Sequence, residues 1–261
     1  MTAAIQRVRV RVEGVVQGVG FRPFVHRLAG ELGVAGFVRN DERGALIEAE
    51  GAPQAIEALL GRLVAEAPPL AEVQLAGTEV VPARAERAFA IVASTSAGSP
   101  DASITPDAAT CEACLRELFD PGDRRYRYPF INCTDCGPRF TIVRGVPYDR
   151  PLTTMAGFPM CADCRHEYED PLDRRFHAEP IACPVCGPQL SMPLEEAVAV
   201  LSGGGVLAVK GLGGYHLACD AADESAVARL RARKLREDKP FAVMTTEPGE
   251  LAELDADELA L

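Results

Sequence analysis

Eight of the nine cysteines stand in a pattern that repeats. Cys111-x2-Cys114 is followed after 18 residues by Cys133-x2-Cys136, and Cys161-x2-Cys164 after 18 residues by Cys183-x2-Cys186, so every second-copy cysteine lies 50 residues after its counterpart. Other positions repeat too: Asp120-Pro121, Asp123-Arg124-Arg125, Ile131 and Gly137-Pro138 return as Asp170-Pro171, Asp173-Arg174-Arg175, Ile181 and Gly187-Pro188. This is an internal duplication. A Cys-x2-Cys knuckle directs two thiolates at one ion, and two knuckles close a tetrahedral sulfur shell with no place for a reactive water. The spacing therefore predicts two structural Zn2+ ions held by all eight cysteines. Disulfides, free thiols and an iron–sulfur cluster are the alternatives; sequential pairing of the knuckles is the default, and crossed pairing is equally tetrahedral. Arg124, Arg125, Arg174 and Arg175 are expected to face the negative zinc–thiolate groups. His166 and His177 read as surface or packing residues.

The rest of the chain narrows the function. A formal net charge of −11 over 261 residues argues against a nucleic-acid or anionic-lipid binder, which needs a basic surface. No apolar run approaches the roughly 20 residues of a membrane span, and the start lacks the apolar core of a signal peptide, which places the chain in the cytoplasm. A small, polar stretch, Ser94–Thr105, reads as a linker, with a second break near Pro193. Three domains follow: 1–95, 106–192 and 193–261.

In the first, Val8, Val10 and Val12 alternate with arginines as in a strand with one buried face, and Phe21, Phe24, Val25, Leu28, Ala29 and Leu32 form a helical stripe ending at Gly33. Gly36–Asn40 and Ala45–Glu50 form a hairpin; a helix led by Pro53 and strands at Val73–Val81 and Phe89–Val92 complete a β-α-β-β-α-β order with one extra strand. That order is a ferredoxin-like sandwich in an α+β chain. Between the first strand and helix, Gly14-Val-Val-Gln-Gly-Val-Gly-Phe-Arg22 offers a tight turn, backbone N–H groups and a helix terminus to an anion, with Arg22 as a charged fork. A Gly-rich turn beside a solvated arginine is the alternative.

This loop, with Gly36-Phe-Val-Arg-Asn40, resembles the acylphosphatase signature. The resemblance implies that Arg22 and the amides of Val16, Gln17, Gly18, Val19, Gly20 and Phe21 hold the phosphate of an acyl phosphate, while Asn40 positions the attacking water.

In the third segment a short helix over Pro193–Leu201 precedes a buried strand at Val206–Val209, and a helix from about Glu224 to Arg236 carries Ala226, Val227 and Leu230 on one face. It runs into the concentrated basic stretch Arg231 to Lys239, which alone reads as a solvated helix end. Lys210-Gly-Leu-Gly-Gly-Tyr-His-Leu, Cys219-Asp-Ala and Arg233-Lys-Leu-Arg236 before Lys239-Pro-Phe resemble the beginning of a YrdC-type α/β nucleotide-binding domain. The resemblance implies that Lys234 and Arg236, with Lys210 and Lys239 less directly, line a phosphate cleft, and that Cys219 is a buried thiol.

Taken in order, the three segments are similar to the HypF family of carbamoyltransferases in [NiFe]-hydrogenase maturation. That likeness implies an enzyme that hydrolyses carbamoyl phosphate in its first domain. It further implies carbamoyl adenylate formation with ATP and Mg2+ in the YrdC-like domain, and transfer to the C-terminal cysteine of HypE through a further domain. Leu261 falls early in the YrdC-like region, so the transferase is expected to be incomplete here and only the acylphosphatase step retained. A zinc-stabilised interaction module with a non-catalytic acylphosphatase-like scaffold is the competing expectation.

Overall fold

The computed structural model describes residues 5–95, 102–235 and 239–245. It divides into two compact units, Met1–Gln189 and Leu190–Leu261.

Unit 1 opens with a five-stranded sheet ordered β4-β1-β3-β2-β5, built from β1 (Gln6–Val15), β2 (Ala35–Asp41), β3 (Gly44–Gly51), β4 (Glu72–Val81) and β5 (Phe89–Ile91). β2 and β3 form the expected hairpin, with Asp41 opposite Gly44, and β5 adds parallel to β2. Helices α1 (Phe21–Leu32) and α2 (Pro53–Ala65) cover one face. Val8, Val10 and Val12 meet Val25, Leu28, Ile56, Leu59 and Leu63 in one dry core, as the alternation of β1 and the stripe of α1 require. Gly33, at φ 63° in the left-handed region, caps α1 by donating back to Ala29 and Gly30 carbonyls.

The arginine face of β1 departs from the simple alternation. Arg7 is as buried as the valines, bonded at 2.7 Å to Glu48 and 2.8 Å to Glu50 of β3. The segment after β4 closes over it, with the Arg84 and Ala85 amides donating to Glu50. Charge pairing across the ladder lets that face be covered without leaving an unpaired guanidinium.

Residues 102–189 carry little regular structure. α3 (Glu112–Phe119) and α4 (Ala162–Glu169) occupy equivalent places in the two repeats, each beginning one residue after the first cysteine. Each helix is followed by a residue in the left-handed region, Arg127 (φ 57°) and His177 (φ 53°), whose N–H bonds back to Leu118 and Tyr168. Part of the expected linker lies outside the described residues; its end does not float, since Ile104 bridges to Gln17 and Thr105 is buried.

Unit 2 holds α5 (Leu194–Ser202), the antiparallel pair β6 (Leu207–Lys210) and β7 (Tyr215–Ala218), and α6 (Glu224–Lys234), capped by Asp223. Ala226 and Leu230 of α6 are buried as expected. Two expectations are corrected. β6 is mainly exposed rather than buried, and Cys219 is half-buried, because a two-stranded ribbon has no second layer among the described residues to cover it.

Candidate active site and metal centres

The loop after β1 turns through Gly18 and Gly20, at φ 74° and 72°, a conformation that other residues adopt at a cost. The turn leaves the first N–H groups of α1 without intrahelical acceptors, which is the setting for an anion. Val16, Gly18, Gly20, Phe21 and Arg22 line one small cavity of about 20 Å3 together with Asn40 from the end of β2. Asn40 is 1% exposed, and its carboxamide oxygen is buried without a hydrogen-bond partner. Gln17 works through its side chain: Nε2 donates to the Asp41 and Gly44 carbonyls at 2.7 and 2.8 Å, and Oε1 accepts from the Tyr148 amide, so the loop is pinned to the β2–β3 turn.

The cavity's other wall comes from the cysteine repeats and the segment joining them: Thr134, Arg139, Tyr148, His177, Glu179 and Pro180. A side chain at Gly18 would meet Arg139 at 3.1 Å, so this wall packs directly on the loop. Arg139 donates through Nε to the Gly18 carbonyl and through its two other nitrogens to the carbonyls of Cys133, Thr134, Cys136 and Pro138. One guanidinium thus ties a cysteine knuckle to the glycine loop.

Arg22 is 8% exposed and already engaged, at 2.8 Å with Asp149 and 2.7 Å with Glu179. Glu179 also accepts from the Tyr168 hydroxyl and the Arg150 amide. Burial pushes the Glu179 carboxyl up from its usual range, against the pull of Arg22. His177, beside this pair, is pushed down to about 4 by burial and by the Arg22 charge, which keeps its imidazole neutral near pH 7.

The eight repeat cysteines gather as Cys111, Cys114, Cys133 and Cys136, and as Cys161, Cys164, Cys183 and Cys186, which is the sequential pairing of knuckles. Sulfurs stand 3.5 to 3.8 Å apart in the first group and 3.6 to 3.7 Å in the second. Zn–S bonds of about 2.3 Å give a tetrahedron with edges of about 3.8 Å, so both cages fit that ion, and the separations far exceed the roughly 2.05 Å of a disulfide.

The repeats interlock. Arg124 of the first donates to Cys164 at 3.1 Å and pairs with Glu167 of the second. Arg174 of the second donates to Cys114 at 3.2 Å and pairs with Glu117 of the first. Arg125 and Arg175 bond the same two glutamates from buried positions. Three of the four arginines reach a sulfur; Arg175 reaches Glu117 and the Asn132 carbonyl instead. Glu117 and Glu167 had a signal in the sequence, being identical at the 50-residue offset. Glu179, Arg139 and His177, which line the cavity, and Asp149, which pairs with Arg22, had none, since folding alone brings them there.

In unit 2, Lys210 ends β6 with Nζ on the Gly211 carbonyl, Lys234 ends α6, and Lys239 follows it with its carbonyl accepting from Arg231. Arg236 lies outside the described residues.

Three family models match: acylphosphatase over residues 8–91, the HypF finger over 110–143 and 160–192, and the Sua5/YciO/YrdC model, described as telomere recombination, over 199–260. The carbamoyltransferase HypF2 of Cupriavidus necator is 58% identical over 252 residues, covering 91% of this chain and 31% of that protein. The crystal structure of full-length HypF in its phosphate- and nucleotide-bound form superposes with a TM-score of 0.88 at 45% identity, covering 96% of this chain and 34% of the other. The chain belongs to the HypF family. It spans about a third of the length of these HypF relatives. Its first domain also resembles a free-standing acylphosphatase of Thermotoga petrophila, 47% identical over 70 residues, which are 26% of this chain and 77% of that protein. The α+β architecture read from the sequence, with an acylphosphatase-like sandwich, two four-cysteine modules and a partial YrdC-like domain, is that of the HypF relatives. Among the described residues no helix is long and apolar enough to cross a membrane.

Proposed function

We propose that unit 1 hydrolyses carbamoyl phosphate, with the amides of Val16 to Phe21 and the Arg22 guanidinium holding the phosphate and Asn40 orienting the attacking water. The observation that carries this reading is the meeting of Arg22, the glycine loop and the unpartnered Asn40 oxygen in one cavity. Donors fixed around the phosphorus stabilise charge that spreads over its oxygens in the transition state, and no protein nucleophile is needed. The eight cysteines would hold two Zn2+ ions as closed structural centres, which supply rigidity and take no part in the reaction.

In the whole protein we assign the carbamate to adenylation with ATP and Mg2+ in the YrdC-like region, with Lys210, Lys234, Arg236 and Lys239 facing phosphate, and then to transfer onto HypE. The family likeness and the YrdC-type match over residues 199–260 support this.

One observation favours the competing scaffold reading: Arg22 is already paired with Asp149 and Glu179. Phosphate release from carbamoyl phosphate decides. Arg22→Ala strands two carboxylates, so Asn40→Ala, which breaks no side-chain hydrogen bond, is the cleaner variant. The expected result is turnover by the parent and a loss of about 10²-fold in Asn40→Ala; equal turnover, or none in the parent, favours the scaffold.

A further inference from the structure

Two residues lining one cavity of unit 1 each carry a buried polar atom without a hydrogen-bond partner: Asn40 (Oδ1), from the sheet, and His177 (Nδ1), from the second cysteine repeat. Buried polar atoms without partners are rare, and two on residues lining one small cavity point to a polar guest such as water beside the loop. The imidazole is held, not loose. Its ring lies 4.7 Å from that of Phe176 and 4.9 Å from that of Tyr168, on a backbone fixed at φ 53° by the turn after α4. At the equivalent position the first repeat has Arg127, which lines no part of this cavity.

We propose that His177 is a catalytic residue that, together with Asn40, holds the attacking water of acyl phosphate hydrolysis. The proposal rests on the acylphosphatase reading above. In the tautomer with its proton on Nε2, the imidazole offers Nδ1 as an acceptor alongside Asn40 Oδ1. A water that donates one hydrogen to each turns its lone pairs toward the phosphate held by the loop. In the step itself the water oxygen bonds to phosphorus while the bridging P–O bond breaks, its electron pair leaving on the acyl carboxylate. One water proton stays on the new phosphate oxygen. The other moves onto His177 Nδ1 and passes to solvent as phosphate leaves. Burial among rings and beside Arg22 keeps the imidazole neutral and so available as an acceptor.

The test uses the full chain with two variants. His177→Asn suits the left-handed backbone and shortens the polar arm; His177→Phe keeps a ring against Phe176 and Tyr168 and deletes the nitrogen. Phosphate release from carbamoyl phosphate is measured with inhibition by inorganic phosphate, zinc content and melting temperature. Both variants are expected to lose at least about tenfold in kcat, with KM, phosphate inhibition and zinc content unchanged. Unchanged kcat in either variant, beside a parent that Asn40→Ala disables, overturns the role of His177 alone. A fall in kcat that tracks lost zinc in both variants also overturns it, by making the residue structural. A parent with no turnover overturns the acylphosphatase reading and this role with it.

Discussion

The two cysteine repeats have nearly the same skeleton and different work. Each places a short helix after its first cysteine and a left-handed residue after that helix, and each lends two arginines to the other's glutamate. Four of the positions at which they differ sit where only one of them lines the cavity beside the glycine loop. Arg127 and Pro129 of the first repeat correspond to His177 and Glu179 of the second, and it is the latter pair that lines the cavity beside Arg22. The first repeat instead contributes Thr134 and Arg139, where the second has Pro184 and Gln189. Duplication supplied the frame, and divergence at a few positions of that frame built one wall of the cavity.

The interlock is the part of the comparison that would fail most visibly. Cys114→Ser and Cys164→Ser are expected to behave alike: since each thiolate receives a guanidinium from the opposite repeat, losing either metal loosens both cages. Structural zinc supplies on the order of 10 kcal/mol of folding free energy. Metal analysis should show zinc falling well below one ion per chain in both variants, with a large drop in melting temperature. One ion retained at full stability would mean that the repeats are independent.

The next contrast lies between positions 129 and 179. Glu179→Gln removes a buried partner of Arg22 and is expected to cost about 3–5 kcal/mol in denaturant unfolding. Pro129→Ala, at the exposed equivalent, should stay within about 0.5 kcal/mol. Similar losses at both would show that Glu179 carries no special load.

The smallest expected effect is a pH dependence at position 177. With the folded His177 lowered to about 4 and an unfolded value near 6.5, the unfolded chain binds the proton first as pH falls. This contribution to stability is complete above pH 6.5 and is lost progressively down to about pH 4. His177→Asn should flatten that part of the stability profile, while Arg127→Asn should leave it as in the parent; matching profiles in both variants would place the acid sensitivity elsewhere.

The duplicated spacing alone marked the eight cysteines as candidate ligands, because paired Cys-x2-Cys knuckles suit a tetrahedral ion. Alternation in β1 and the stripe of α1 likewise determined the sandwich, since each period permits one face to be buried. Which knuckles pair, and that Arg7 is buried, waited on the tertiary structure. So did the partners of Arg22. Asp149 and Glu179 lie 127 and 157 residues beyond Arg22 in the chain, and nothing local marks them. A guanidinium written in the sequence is only a charge; whether it faces water, a phosphate or two carboxylates depends on which distant segments packing brings within about 3 Å.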